Sequence, residues 1–263
     1  KGGDKQADKS MASLLAKPRK VLWLHQCEPE YDAFDPAVAH KTVEETETVI
    51  CFTSYVTEKM RAYADIIIPI TPFSEMAGSF INALGMKQSF RASQEHLEGS
   101  KPAWKCYRVL GNLMGAEGFM YRNIDEVQNE VALVLAENAL MKTRQKKAVP
   151  TVQPTRKGKN WVHIHRPVPL YRVDSIVRRA GALQKAQQDM CPPAIHIHPQ
   201  TAKKLGAATD KEVRLRFANG ISNPVSLYLD DTVALGCVII PATYEQYENL
   251  GARSDWAEVV SGE

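Results

Sequence analysis

The chain has 263 residues, enough for two domains that each bury a core. Its 44% hydrophobic and 24% charged content and net charge of +3 are ordinary for a soluble globular protein. No apolar run approaches the roughly 18 residues needed to span a bilayer, and the polar opening KGGDKQADKS is neither a secretory signal nor an anchor. That opening lacks an initiating Met and runs directly into a strand-like block, as the start of a fragment would.

In chain order, residues 20–26 (KVLWLHQ) read as a strand, 35–47 as a helix, 48–53 (TVICFT) as a second strand and 57–63 as a short helix. Residues 65–70 then form a β-branched apolar block, the pattern of an interior strand in a covered sheet. Strands alternating with helices at this spacing imply a parallel sheet with right-handed crossovers. After the third strand, Thr71 is placed to cap a turn of helix, Pro72 suits its first position and Gly78 its end. Such a junction lies at the carboxyl edge of an α/β sheet, where ligands usually bind. Helices are expected over 103–114 and from about Asn123, where Asn123 and Glu126 resemble a capping box. On the second helix, Val127, Val131, Val134 and Leu135 make an apolar stripe that should face the core.

From Asn138 to Val173 there are nine Lys or Arg residues, no Asp or Glu, and Pro150, Pro154, Pro167 and Pro169. This stretch reads as a solvated interdomain linker, or alternatively as a contact for an acidic protein surface, anionic lipid or nucleic acid. Beyond it the periodicity becomes two. Val213, Leu215 and Phe217 alternate with charged residues, Asn219-Gly220 signals a hairpin, and Val225, Leu227 and Leu229 resume the alternation. Residues 199–205 read as a short helix closed by Gly206, 236–241 (GCVIIP) as a buried strand, and 174–188 as an amphipathic helix packed outside a compact β-barrel. The expected domains are an α/β domain over 1–142, a basic Pro-containing linker over 143–160 and a β-barrel domain over 161–263.

Five cysteines (Cys27, Cys51, Cys106, Cys191, Cys237) are odd in number and include no C-x-x-C, so local spacing encodes neither a zinc nor an iron–sulfur site. Most of them read as buried thiols of a reducing, cytoplasmic compartment. His163-x-His165 and His196-x-His198 place pairs of imidazoles on one strand face, but two further ligands are missing locally. Edge-strand polar residues are the plainer account. Neither Cys106 nor Cys191 has a base beside it in sequence, and there is no P-loop, G-x-G-x-x-G, G-x-S-x-G or H-E-x-x-H.

The segment ADIIIPITPFSEMAGSFINALGMKQSF (64–90) resembles the "AD-hydrophobic-P … E-x-x-G-[ST]-F-x-N-x-x-G" signature of the molybdopterin oxidoreductase superfamily. YRVDSIVRRAGALQK (171–185) is similar to the G-type subunit of proton-pumping NADH:quinone oxidoreductase, respiratory complex I, and residues 195–242 resemble the superfamily's C-terminal barrel. The resemblance implies an α/β fold in which part of a Rossmann-like parallel-sheet domain precedes a small double-psi-like β-barrel. It further implies the C-terminal part of a larger subunit, structural and non-catalytic. No cofactor would sit in this part, and iron–sulfur clusters would belong to an N-terminal region. The partners would be other peripheral-arm subunits of complex I, with no nucleic acid and no direct membrane insertion. The location would be cytoplasmic, peripheral on the inner membrane.

Two departures from the superfamily pattern speak against cofactor contact. The usual G-R-x-Q is Gly85-Met86-Lys87-Gln88, and the first strand ends in His25-Gln26-Cys27-Glu28 rather than in a Gly/Asn-rich loop. The alternative is the C-terminal half of an active molybdopterin oxidoreductase such as a formate dehydrogenase. Pterin phosphates would then lie near Gln26, Ser54 and Thr71, and Glu75, Gly78, Ser79 and Asn82 would line the cleft. Those four residue types would equally serve to position a loop without a ligand. No catalytic, cofactor-binding or metal residue is assigned.

Overall fold

A computed structural model describes residues 10–141, 158, 160–207, 212–217, 220–250 and 254–261. In chain order the elements are α1 (Met11–Leu14), β1 (Val21–His25), α2 (Pro29–Asp32), α3 (Pro36–Glu44), β2 (Thr48–Thr53), α4 (Glu58–Tyr63), β3 (Ile66–Pro69), β4 (Gly78–Ile81) and β5 (Lys87–Phe90). They continue with α5 (Ala103–Leu113), α6 (Ile124–Met141), β6 (Trp161–His165), α7 (Gly181–Met190), β7 (Ile195–Ile197), α8 (Pro199–Leu205) and β8 (Val213–Phe217). The last four are β9 (Gly220–Ile221), β10 (Leu227–Leu229), β11 (Cys237–Ile239) and β12 (Ser254–Ser261). The architecture is mixed α/β. Most of the 143–160 linker and the polar N-terminal nine residues lie outside the described residues.

Two compact units result. One comprises Lys1–Val49, Glu58–Asp65 and Pro154–Glu263; the other comprises Ile50–Thr57 and Ile66–Gln153. Strand β2 belongs to both, and the three-stranded sheet has the order β1–β2–β3. Strands β2 and β3 are parallel, with Cys51 opposite Ile67 and Phe52 opposite Ile68. The block expected to be an interior strand is therefore an edge. Ile66 is 48% exposed while Ile70, just beyond β3, is buried against Phe52 and Ala103. Pro69 has no N–H for a ladder, and an edge tolerates that.

The local signals explain most element boundaries. Asp35 accepts the Val38 amide to cap α3, with Pro36 at its first position. Asn123 Oδ1 accepts the Glu126 amide and Glu126 Oε2 accepts the Arg122 amide, a reciprocal cap on α6. Gly206 ends α8 at φ +69°, a conformation that costs glycine little.

Other expectations are corrected. Thr71 is not a helix cap. The turn after β3 is a short 3-10 segment, Phe73–Glu75, preceded by Pro72 and without a side-chain cap, and Gly78 opens strand β4 rather than closing a helix. Val131, Val134 and Leu135 on α6 are nearly half exposed, and among the described residues no core forms on that stripe. A single helix over 174–188 is replaced by a 3-10 turn, Val177–Arg179, followed by α7.

The larger unit carries a seven-stranded mixed sheet of order β10–β7–β11–β6–β12–β8–β9. The alternation expected of β8 appears as buried Val213 and Leu215 between exposed Arg214 and Arg216. Strands β8 and β9 pair antiparallel as a hairpin, and the residues joining them lie outside the described set. The sheet curls into a half-barrel, and an isolated antiparallel bridge joins Val213 to Val225. Inside it, Val162, Ile164, Ile195, Ile197, Leu215, Val238 and Ala257 form a continuous apolar core.

Gly111 in α5 lies so close to the Phe119 ring that an added Cβ would overlap it. Gly111→Ala would gain up to about 1 kcal/mol of helix propensity and lose about 1–3 kcal/mol by overpacking. The expected outcome is a lower urea midpoint; a raised midpoint would show that the ring yields freely.

Candidate functional site

Strand β1 ends at His25, and Gln26 then adopts φ +46°, turning the chain into Cys27, Glu28 and the four-residue helix α2. The turn buries Glu28 and Glu30 almost completely. Glu28 is compensated from a segment about 150 residues away: its Oε2 lies 3.0 Å from Arg178 Nη2 and its Oε1 2.6 Å from Arg179 Nη2. Asp32 completes the cluster, accepting from Arg178 Nη1 at 3.0 Å and from the Glu28 amide at 2.8 Å. The Arg178 guanidinium also stands over the Tyr31 ring at 5.0 Å, and Tyr31 donates to Glu245. Glu30 accepts from Tyr63 at 3.5 Å.

The segment carrying these arginines is itself pinned. Asp174 Oδ1 accepts the amides of Ile176 and Val177, and Gln184 donates to the Tyr171 and Val177 carbonyls. Arg172 donates to the Thr243 carbonyl from Nε at 2.9 Å and stacks on Tyr244 at 4.3 Å; burial lowers its pKa. Thr243 holds φ +67°, a strained value for a β-branched residue, fixed here by these contacts.

The residues considered for a cofactor cleft have these surroundings. In the smaller unit, the Ser54 hydroxyl donates to the Ile70 carbonyl at 2.9 Å, and the fully buried Thr71 donates its amide to Lys101. Glu75 accepts from the Gln94 side chain and the Leu97 amide. Asn82 Oδ1 accepts the amides of Leu84 and Met86, closing the β4–β5 hairpin. Ser79 pairs with Ser89 across that hairpin, and a Cβ on Gly78 would come within 2.7 Å of the Phe90 ring. All of these residues are engaged in shaping the chain.

The first-strand end does not fit a dinucleotide phosphate. Such a site presents backbone N–H groups from a glycine-rich loop and a helix N-terminus. Here there is no glycine, Pro29 starts α2 without an N–H, the Glu28 amide is used by Asp32, and the buried side chains of Glu28 and Glu30 occupy the turn.

The histidine pairs do not converge. His163 packs on Trp256, His165 is exposed, His198 Nδ1 caps α8 by accepting the Gln200 amide, and His196 is buried. Among the described residues no three His, Cys, Asp or Glu side chains form a metal group. Sequence reasoning missed one juxtaposition: Cys191 Sγ lies 3.9 Å from His196 Nε2, and His196 Nδ1 lies 3.5 Å from Asp230. It is not an activated nucleophile. His196 Nε2 is 2.9 Å from the Pro192 carbonyl, an acceptor that requires an N–H there, and burial raises the Cys191 pKa. Burial likewise raises that of Cys106.

Residues 3–113 match the family model described as molybdopterin oxidoreductase, a span that includes the 64–90 signature. A chain from Staphylococcus aureus (strain USA300) named "Putative formate dehydrogenase" is 34% identical over 70 residues, 27% of this chain. One of the same name from Staphylococcus haemolyticus (strain JCSC1435) is 31% identical over 70 residues. The chain spans 7% of the length of these relatives. Among solved structures, acetylene hydratase from Pelobacter acetylenicus superposes with a TM-score of 0.60 at 15% identity, over 84% of this chain and 37% of that one. That likeness concerns the fold.

Glu28→Ala leaves the buried Arg178 with Asp32 as its one remaining carboxylate, and removal of one partner from a buried pair costs about 3–5 kcal/mol. Urea unfolding should show a loss of this order, with part recovered in the Glu28→Ala/Arg178→Met double variant; an unchanged midpoint for Glu28→Ala would refute the assignment. The Asp230 carboxyl is held below its usual pKa, first by the Thr232 hydroxyl, then by the Thr232 amide and more weakly by His196. This anchor is present above the unfolded value of 3.8 and fades as pH falls through the lower folded value. The stability difference between the parent and Asp230→Asn should therefore shrink on acidification below 3.8. A constant difference would exclude that linkage.

Proposed function

We propose that this chain is the C-terminal, non-catalytic portion of a molybdopterin-oxidoreductase-type subunit within a multisubunit oxidoreductase, namely the G-type subunit of NADH:quinone oxidoreductase. It supports the iron–sulfur electron-transfer arm and holds no cofactor of its own. The observation that carries this reading is the Glu28–Arg178–Arg179–Asp32 cluster. It puts protein carboxylates at the first-strand end, where a pterin dinucleotide would need amide donors. Its arginines come from the 171–185 segment that resembles the complex I protein. In this reading the half-barrel is the superfamily's double-psi-like domain, the other peripheral-arm subunits are its partners, and the assembly is peripheral on the cytoplasmic side of the inner membrane. Among the described residues no helix is long and apolar enough to cross a membrane.

The second reading is the C-terminal half of an active molybdopterin oxidoreductase such as a formate dehydrogenase. The named relatives favour it over the first, since the family model and the formate dehydrogenase matches point to the superfamily and not to complex I.

Elemental analysis and nucleotide release on the intact subunit separate the two. The first reading expects no stoichiometric molybdenum, no guanine nucleotide on denaturation, and co-purification with NADH-oxidising iron–sulfur subunits. Stoichiometric molybdenum with a guanine dinucleotide would establish the second instead.

A further inference from the structure

The seven-stranded sheet has an outer face that neither the core nor the Glu28 cluster uses. Register places His163 of β6 beside Trp256 of β12 on one side and Cys237 of β11 on the other, with Trp161 two residues earlier on the same face. The alternate residues Val162, Ile164, Ala257 and Val238 point into the core, so this face is fixed by the packing beneath it. Trp256 meets His163 edge-on, with ring centroids 5.3 Å apart and planes at 77°. Helix α8 lies alongside and borders a half-open cavity of about 670 Å³ between the two indoles and Lys204. The α8 edge is tied down where Thr201 Oγ1 accepts the Gly236 amide at 3.1 Å.

The lining has a definite chemical character. Two indoles with Leu205 and Leu235 make it largely apolar and aromatic. Among the described residues Lys204 is its one fixed charge, and no carboxylate lines it. Glu258, on the same sheet face opposite Trp161, is held by Arg216 at 2.8 Å. A mainly apolar concavity of several hundred cubic ångströms with a few polar groups is the usual form of a small-molecule site.

We propose that this cavity binds a planar aromatic anion, its ring against the Trp161 and Trp256 indoles and its anionic group at Lys204 Nζ. Aromatic faces select a flat ring by stacking or edge contact. A lysine ammonium at the rim then favours the charged molecule over its neutral counterpart. The site shares no residue with the Glu28–Arg178 cluster and does not depend on the function proposed above.

The intact protein would be titrated with AMP, adenosine, naphthalene-2-sulfonate and inorganic phosphate, followed by tryptophan fluorescence and protein-observed NMR. Expected is saturable binding of AMP, adenosine weaker by about tenfold, the equivalent of about 1.4 kcal/mol, and no binding of phosphate. Naphthalene-2-sulfonate binding as tightly as AMP would make ring and charge the whole of the recognition; AMP binding alone would point to a nucleotide. Lys204→Gln, at an exposed helix position, should weaken the anions about tenfold and leave adenosine unchanged. Trp161→Leu should weaken every ringed probe. The proposal falls if neither ringed anion saturates at millimolar concentration, or if both variants bind them as the parent does.

Discussion

In the larger unit the placement of the turn after β1 against the segment carrying Arg178 and Arg179 depends on the neutralisation of one buried carboxylate. Glu28 has almost no contact with water, and the cost of removing an ion from water is several kcal/mol unless opposite charge and hydrogen bonds replace the solvent. Two guanidiniums do so here, and Asp32 balances the second positive charge. The requirement is mutual, since Arg178 is as dry as Glu28. The turn after β1 and the 174–181 segment must therefore form together, although about 150 residues separate them. Arg172 extends the same logic to the chain around Thr243, where a strained backbone is held by donated hydrogen bonds.

This arrangement changes the meaning of the superfamily signature. In the smaller unit its polar residues are spent on backbone, Glu75 on the Leu97 amide and Asn82 on two amides of the hairpin, and upstream of it Ser54 donates to the Ile70 carbonyl. A turn carrying Glu and Asn at these positions uses them to pair its own backbone amides whether or not a ligand is present. At the first-strand end the charged groups are likewise spent on one another, Glu28 and Asp32 on Arg178 and Arg179.

Elements set by short-range chemistry were readable directly. The caps of α3 and α6, the Gly206 stop and the alternation of β8 depend on residues within four positions of one another. Elements that depend on what lies opposite were not. The 65–70 block has the same apolar pattern whether a strand is central or at an edge, and only pairing decides. The α6 stripe has helical spacing, yet Val131, Val134 and Leu135 stay nearly half exposed. In place of one helix through 174–188, a 3-10 turn over Val177–Arg179 gives way to extended Ala180 before α7, and which side chains meet Glu28 is settled by that tertiary placement.

By itself the sequence determined the alternation of strands and helices, the position of the caps and the superfamily resemblance of residues 64–90, because these rest on neighbouring residues and on ordered motifs. Only the tertiary structure decided which charges meet. Glu28 and Arg178 carry no mark in the sequence that pairs them, and Trp161, Trp256 and Lys204 come from three separate elements. Long-range electrostatics and the lining of a cavity are properties of strand register and packing, and neither is written in local periodicity.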